Sequence, residues 1–237
     1  MPEGQKNTDL DAFSLAKLIY ALVGMVVVVD YLSDLTTKFV LWKHTAATTA
    51  AAVPYLYLIL ILFPTLSCVV IVFLYRPFAL VFGPIRHETK RRYNLLRHIL
   101  YGIGGGLVAL VLGIPFLLLG DADGNFVAGA VSNITSLNGL PMFLLLMIAL
   151  PVAMEATFRG IAFRTLAIHA SVPSAVVASS LLFAHLWPAF GWPIGLILGV
   201  VSALLYHWTN SLVSPIFANV VLTLSGGVFI LYRALVR

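Results

Sequence analysis

Apolar residues run along this chain in long blocks, and short polar stretches separate one block from the next. A helix that crosses a bilayer needs about 20 consecutive, mostly apolar residues. Short connections between the last four blocks favour antiparallel packing of successive helices. We predict an all-α, polytopic membrane bundle of about seven transmembrane helices, or eight if a re-entrant segment is present. The predicted spans are 13–35, 53–75, 98–119, 141–168, 172–187, 192–208 and 212–235.

The composition is that of an integral membrane protein. Hydrophobic residues make up 61% of the chain and charged residues only 10%, whereas a soluble domain carries about 25% charged residues. With 237 residues, the predicted bundle leaves no room for a sizeable soluble domain. We therefore expect a single integral-membrane domain over residues 1–237.

The basic residues indicate how the bundle is oriented in the membrane. Six of the 14 lysine and arginine residues lie between residues 76 and 97: Arg76, Arg86, Lys90, Arg91, Arg92 and Arg97. Short basic loops stay on the cytoplasmic side, so we expect this loop and the N-terminus to be cytoplasmic. Such a loop also favours contact with anionic membrane lipids. Because the net charge of +5 follows the membrane topology, we expect no nucleic-acid partner.

Two pairs of glycines have the spacing of helix-contact motifs, Gly102 with Gly106 and Gly195 with Gly199. Small residues four apart allow two membrane helices to approach closely. We expect both motifs to pack helices within the chain rather than between subunits.

Glu155 and Arg159 lie in the middle of the apolar stretch 141–168. A charged side chain at the centre of a membrane helix costs about 2.5–3.5 kcal/mol, so it needs a partner or a wet cavity. Residues four apart share one helical face, so each charge can neutralise the other. The pair has two interpretations: a polar functional site inside the bundle, or a structural ion pair that holds helices together.

His185 and Asn219 could join Glu155 in a hydrolytic site. Glu155 and His185 each lie about 20 Å from the turn near Ser171, so an antiparallel hairpin places them at one depth. The glutamate would activate water, the histidine would act as base, proton carrier or metal ligand, and the amide would stabilise an oxyanion. Each also has a structural alternative. Glu155 can serve only its arginine, His185 can bond a helix-end carbonyl, and Asn219 can join two helices.

The chain offers little for a metal or a cofactor. Cys68 is the only cysteine, which excludes a cysteine zinc cluster or a haem-attachment motif. A catalytic zinc site typically takes three protein ligands, and no two histidines are four residues apart. We therefore expect no metal and no cofactor.

The polar positions form an ordered series of short motifs between residues 150 and 223. The motifs are Glu155-x-x-x-Arg159-Gly160, Leu182-Phe-Ala-His-Leu186, the run from Gly195 to Tyr206, Thr209-Asn-Ser-Leu212, Pro215-Ile216 and Asn219. This series resembles the core of the CPBP family, the CAAX-processing and bacteriocin-processing (Abi) intramembrane proteases. The resemblance implies endoproteolysis in or near the membrane, with water activated by the first glutamate of a Glu pair and by a histidine.

The chain departs from the family pattern at several positions that the resemblance implies to be catalytic. It retains the second glutamate, the arginine and the histidine of the pattern, as Glu155, Arg159 and His185. The differing positions are Met154 for the first glutamate, Leu181 for a phenylalanine, Asn219 for a histidine and Thr223 for an asparagine.

These departures favour a non-catalytic protein that acts as a subunit or scaffold of a membrane complex. The thioether of Met154 cannot take up a proton, and the loss of a general base costs about 10²–10⁴-fold in rate. Glu155 cannot simply replace it, because adjacent helical residues point about 100° apart.

Two alternatives stay open. The chain could be an active intramembrane endopeptidase that cleaves membrane peptides. Glu155 would then be the base on a helix distorted near Pro151, with His185 as its partner and Asn219 as oxyanion donor. It could also be a lipid-binding or transporter-like bundle. An enzyme requires Glu155 and His185 close together around one water, whereas a scaffold turns Glu155 onto Arg159 and fills the cavity with Met154.

Overall fold

A computed structural model of the chain describes residues 94–119, 148–187 and 191–236, together with single helical positions at 23, 24, 27, 28, 31, 34, 35, 38 and 66. Every regular element in these ranges is helical. They are α1 (Leu95–Leu119), α2 (Leu150–Glu155), a π-helical segment (Ala156–Phe163), α3 (Arg164–His169), α4 (Val172–Leu186), α5 (Trp192–Thr209) and α6 (Val213–Val236).

The predicted all-α class is confirmed for the described residues, and the predicted spans within them agree closely with the helices. Two helices, Leu95–Leu118 and Trp192–Thr209, are long and apolar enough to cross a membrane. α2, the π segment and α3 follow one another without a break. The count of seven spans stays a prediction, because the spans 13–35 and 53–75 and most of the loop 76–97 lie outside the described residues.

Few residues separate α3, α4, α5 and α6 in the sequence, and described residues at the helix ends show how these helices begin or end. The Ser171 hydroxyl accepts a hydrogen bond from the Ser174 amide and so caps the start of α4. Gly191, with φ of 86°, precedes α5, a conformation that glycine adopts without steric cost. Asn210 ends α5 in the left-handed region, with φ of 50°. Each connection reverses the chain, as the short loops predicted.

α1 and α6 run parallel and pack closely along glycines. The Ser214 hydroxyl donates to the His98 carbonyl over 2.9 Å, near the start of both helices. A Cβ added at Gly102 would lie 2.6 Å from the Ser214 carbonyl oxygen, and one at Gly106 would lie 2.7 Å from that of Ala218. Glycine is therefore required where the two backbones meet.

The second glycine motif holds α5 against α4. A Cβ added at Gly195 would lie 3.1 Å from the Ala184 Cα, and one at Gly199 would lie 3.0 Å from the Ser180 Cα. Both motifs therefore pack helices within the chain, and the expectation drawn from their spacing is confirmed.

The π segment lies at the centre of the described bundle. All eight of its residues are buried, and its two phenylalanine rings contact α4 and α5. Phe158 makes an edge-to-face contact with Phe183 of α4 at 5.7 Å. Phe163 makes another with Tyr206 of α5 at 5.8 Å. The sequence predicted a distortion near Pro151, but the departure from α-helical geometry spans Ala156–Phe163 instead. π-helical turns are rare, and those that occur are often found at functional sites.

We expect Gly106→Ala to destabilise the bundle, because the added methyl group meets the Ala218 carbonyl oxygen and Val221 Cβ, each at 2.7 Å. Overpacking of this kind costs about 1–3 kcal/mol. The free energy of unfolding in mixed micelles measures the effect. Gly104→Ala is the matched control, because nothing lies within 4 Å of its added Cβ. Equal stability of the two variants would contradict the close contact of α1 and α6.

Candidate functional site

A buried ion pair forms the centre of the site. Glu155 is the last residue of α2 and Arg159 lies one turn further on, in the π segment. Glu155 Oε2 lies 3.4 Å from Arg159 Nε, and both side chains are 0% exposed. The two atoms are within ion-pair distance, but they are not aligned as a hydrogen bond. The attraction is therefore chiefly electrostatic, in a region of low dielectric constant.

The guanidinium of Arg159 connects the π segment to two other helices. Its Nη2 donates to the Gly199 carbonyl of α5 over 2.8 Å. Its Nη1 makes longer contacts with Ser179 of α4, at 3.4 Å to Oγ and 3.5 Å to the carbonyl oxygen. The same group lies 4.9 Å above the centroid of the Phe183 ring, a distance at which cation–π attraction is effective. Arg159 thus bonds to α4 and α5 as well as to the glutamate.

Asn219 and Thr223 of α6 complete the environment of the carboxylate. Asn219 Nδ2 donates to Glu155 Oε1 over 3.3 Å. The Thr223 hydroxyl donates to the Asn219 carbonyl over 2.8 Å and lies 3.4 Å from its Oδ1. The Ser202 hydroxyl of α5 also lies beside the carboxyl, without a hydrogen bond of good geometry. Three helices other than α2 therefore contribute polar groups to this charge pair.

Met154 and His185 lie in very different surroundings. Met154 is fully buried in the hydrophobic core. His185 is exposed on α4, about 200° around the helix from Phe183, which contacts Arg159. Leu181, one turn before His185, is 42% exposed. The structure thus brings Glu155 together with Asn219 and places His185 on the opposite face of α4.

Several residues of the cluster were not predicted from the sequence. Ser179 and Ser202 are serines in apolar helices, and their burial at 0% exposure gives them a place beside the charges. The Gly199 carbonyl was missed because Gly199 was interpreted only as a packing residue. A serine one helical turn from a glycine, as Ser202 is from Gly199, is the signal that could have identified Ser202.

The cluster suits charge neutralisation better than proton transfer. It combines one carboxylate, one guanidinium, one amide and hydroxyl groups, and of these only the carboxylate is an ordinary general base. Within the described ranges, no three histidine, cysteine, aspartate or glutamate side chains come together as metal ligands would.

Comparison with known proteins gives a family match over the segment that contains this site. Residues 136–225 match the model of a family described as type II CAAX prenyl endopeptidase Rce1-like. This segment contains the described helices from α2 to most of α6, with every residue of the cluster. The resemblance to the CAAX-processing proteases is therefore confirmed over it, and a CAAX-protease-like membrane protein is supported. Comparison with curated proteins and with solved structures gives no match.

We expect Glu155→Gln to destabilise the protein strongly, because it removes the counter-charge of Arg159 and leaves a buried cation. Breaking a buried ion pair from one side costs about 3–5 kcal/mol. Removing both charges, in Glu155→Gln with Arg159→Met, should cost less than the sum of the two single changes. For contacting residues the difference is about 0.5–3 kcal/mol. Unfolding free energies of the four proteins in mixed micelles measure it, and additive costs would show that the pair is not coupled.

Proposed function

We propose that the chain is a proteolytically inactive membrane protein with a CAAX-protease-like core, and that it acts as a subunit or scaffold of a membrane complex. One observation supports this above all others. The Glu155 carboxylate is 0% exposed and faces Arg159 with one oxygen and Asn219 with the other. A carboxylate used in this way is a structural group.

The residues around Glu155 support inactivity from a second direction. Met154, at the position of the family's first glutamate, is buried at 0% exposure and offers no proton acceptor. Asn219, at the position of a histidine, donates its amide to Glu155 and cannot carry a proton. The loss of a general base alone costs about 10²–10⁴-fold in rate. What is left can hold helices together but is poorly suited to making hydroxide from water.

The outer face of α4 supports a role in binding a partner. His185 is exposed there, and Val177 and Leu181 on the same face are 57% and 42% exposed. These residues follow one another at intervals of one helical turn and so form one stripe along the helix. We propose a membrane protein as the partner, with membrane lipids covering the rest of the bundle.

We also propose that the end of the bundle formed by the starts of α1, α4 and α6 is cytoplasmic. Arg97 lies at this end, and the other basic residues of the predicted loop, Arg76 to Arg92, precede it in the sequence. Basic residues collect on the cytoplasmic side of membrane proteins. Anionic lipid head groups are then natural contacts of this surface.

An active endopeptidase is the second candidate, and the π segment is the observation in its favour. It begins directly after Glu155, and such segments are frequent at functional sites. In this case Glu155 would activate water and Asn219 would stabilise the oxyanion. His185 would have to approach Glu155 from the opposite face of α4.

A cleavage assay with the purified chain distinguishes the two functions. Substrates would be a prenylated CAAX peptide, as the matched family's description suggests, and a set of unprenylated membrane peptides. We expect no turnover above buffer, because Met154 stands at the position of the family's first glutamate and Arg159 neutralises the Glu155 carboxylate. Turnover that follows the protein through purification and is lost in both Glu155→Gln and His185→Ala would overturn the proposal.

Purification in a mild detergent tests the scaffold role. We expect a membrane protein to copurify at constant stoichiometry and to be lost when Leu181→Arg places a charge on the outer face of α4. Arg at the midplane of a membrane helix is costly, so the variant's folding is checked by its thermal unfolding. Trp208→Arg is the matched control, because Trp208 is also exposed, at 72%, but lies on α5. A partner that is absent, or that is retained in both variants, would contradict this surface.

A further inference from the structure

Three buried polar atoms, two of the ion pair and one next to it, make no hydrogen bond within the described part of the chain. They are Glu155 Oε2, Arg159 Nε and Ser202 Oγ, and their residues are all 0% exposed. A buried donor or acceptor left unsatisfied costs about 1–3 kcal/mol. Three such atoms in one place indicate that a further group completes their hydrogen bonding.

The three atoms converge from different elements of the fold. Glu155 Oε2 and Arg159 Nε are 3.4 Å apart, and the Ser202 hydroxyl lies beside the same carboxyl. Ser202 follows Gly199 by three residues in α5, and Gly199 is fixed to Arg159 by its 2.8 Å hydrogen bond. α5 is therefore held in position against the π segment at this level.

The chemistry of the three atoms defines what they can bind. A carboxylate oxygen only accepts, an arginine Nε–H only donates, and a serine hydroxyl does both. A bare cation requires oxygen or nitrogen lone pairs, and the guanidinium would repel it. A bare anion requires donors, and the carboxylate would repel it. A small neutral molecule that both donates and accepts matches all three atoms at once.

We propose that Glu155, Arg159 and Ser202 bind one ordered water molecule inside the bundle. It accepts from Arg159 Nε, donates to Glu155 Oε2 and exchanges a hydrogen bond with the Ser202 hydroxyl. Buried waters typically make about three hydrogen bonds to groups that are otherwise unsatisfied. The water joins α5 to the charge pair and so stabilises the contact between three elements.

This water has a structural role, and the inference does not depend on whether the chain is an enzyme. It is held by a carboxylate whose charge Arg159 balances, and His185 lies on the other face of α4.

An experimental structure at a resolution that shows ordered water tests the proposal. We expect one peak within hydrogen-bonding distance of all three atoms in the wild type. The peak should be lost in Ser202→Val. One methyl group of the valine takes the place of the hydroxyl and forms no hydrogen bond. It should persist in Ser179→Ala, because Ser179 contacts Nη1 of Arg159 and not Nε.

The wild-type density decides the question alone if Ser202→Val does not fold. Direct hydrogen bonds from Ser202 and from Arg159 Nε to Glu155, with no peak between them, would overturn the proposal. A peak that stays in place in Ser202→Val would overturn it as well.

Discussion

The charge of Arg159 must be balanced inside the bundle, and the arrangement of the surrounding helices depends on this requirement. An unpaired guanidinium in a medium of low dielectric constant is costly, and attraction to one carboxylate rarely offsets the desolvation of both groups without further hydrogen bonds. Those bonds come from the Gly199 carbonyl, from Ser179 and, on the glutamate, from Asn219. Because these groups belong to α4, α5 and α6, the charge pair fixes how three helices are placed around the π segment.

The close packing of α4 and α5 is a condition for this arrangement. The Gly199 carbonyl can reach Arg159 only if α5 lies near the π segment, and the missing side chain of Gly199 lets α5 touch Ser180 of α4 at the same level. Gly199 therefore serves both purposes: it lets two helices pack closely, and its carbonyl accepts a hydrogen bond from the charged group. In a membrane, where burial of apolar surface contributes little between helices, such packing and polar contacts are the main sources of specificity.

Helix positions could be predicted from the sequence, because the thickness of the bilayer sets the length of each apolar block and polar residues mark where it ends. The spacing of Glu155 and Arg159 likewise indicated a shared face. The direction of each side chain around its helix could not be predicted, because these helices are apolar on every side. No polar face distinguishes the buried side of each helix from the exposed side. For that reason the sequence left open a site with His185 beside Glu155, whereas the structure places His185 on the outer face of α4. The π segment was missed because the residue pattern there does not distinguish a π turn from an α turn.

A physical argument explains why position 154 holds a methionine while position 155 holds a glutamate. Both positions are fully buried, so a carboxylate at either one carries a large desolvation cost. At position 155 Arg159 offsets that cost, and replacing the acid would leave the guanidinium without a counter-charge. At position 154 a methionine fills its space with an apolar and adaptable side chain. In the proposed inactive protein, an acid is therefore not needed for stability at position 154, whereas the acid at position 155 is.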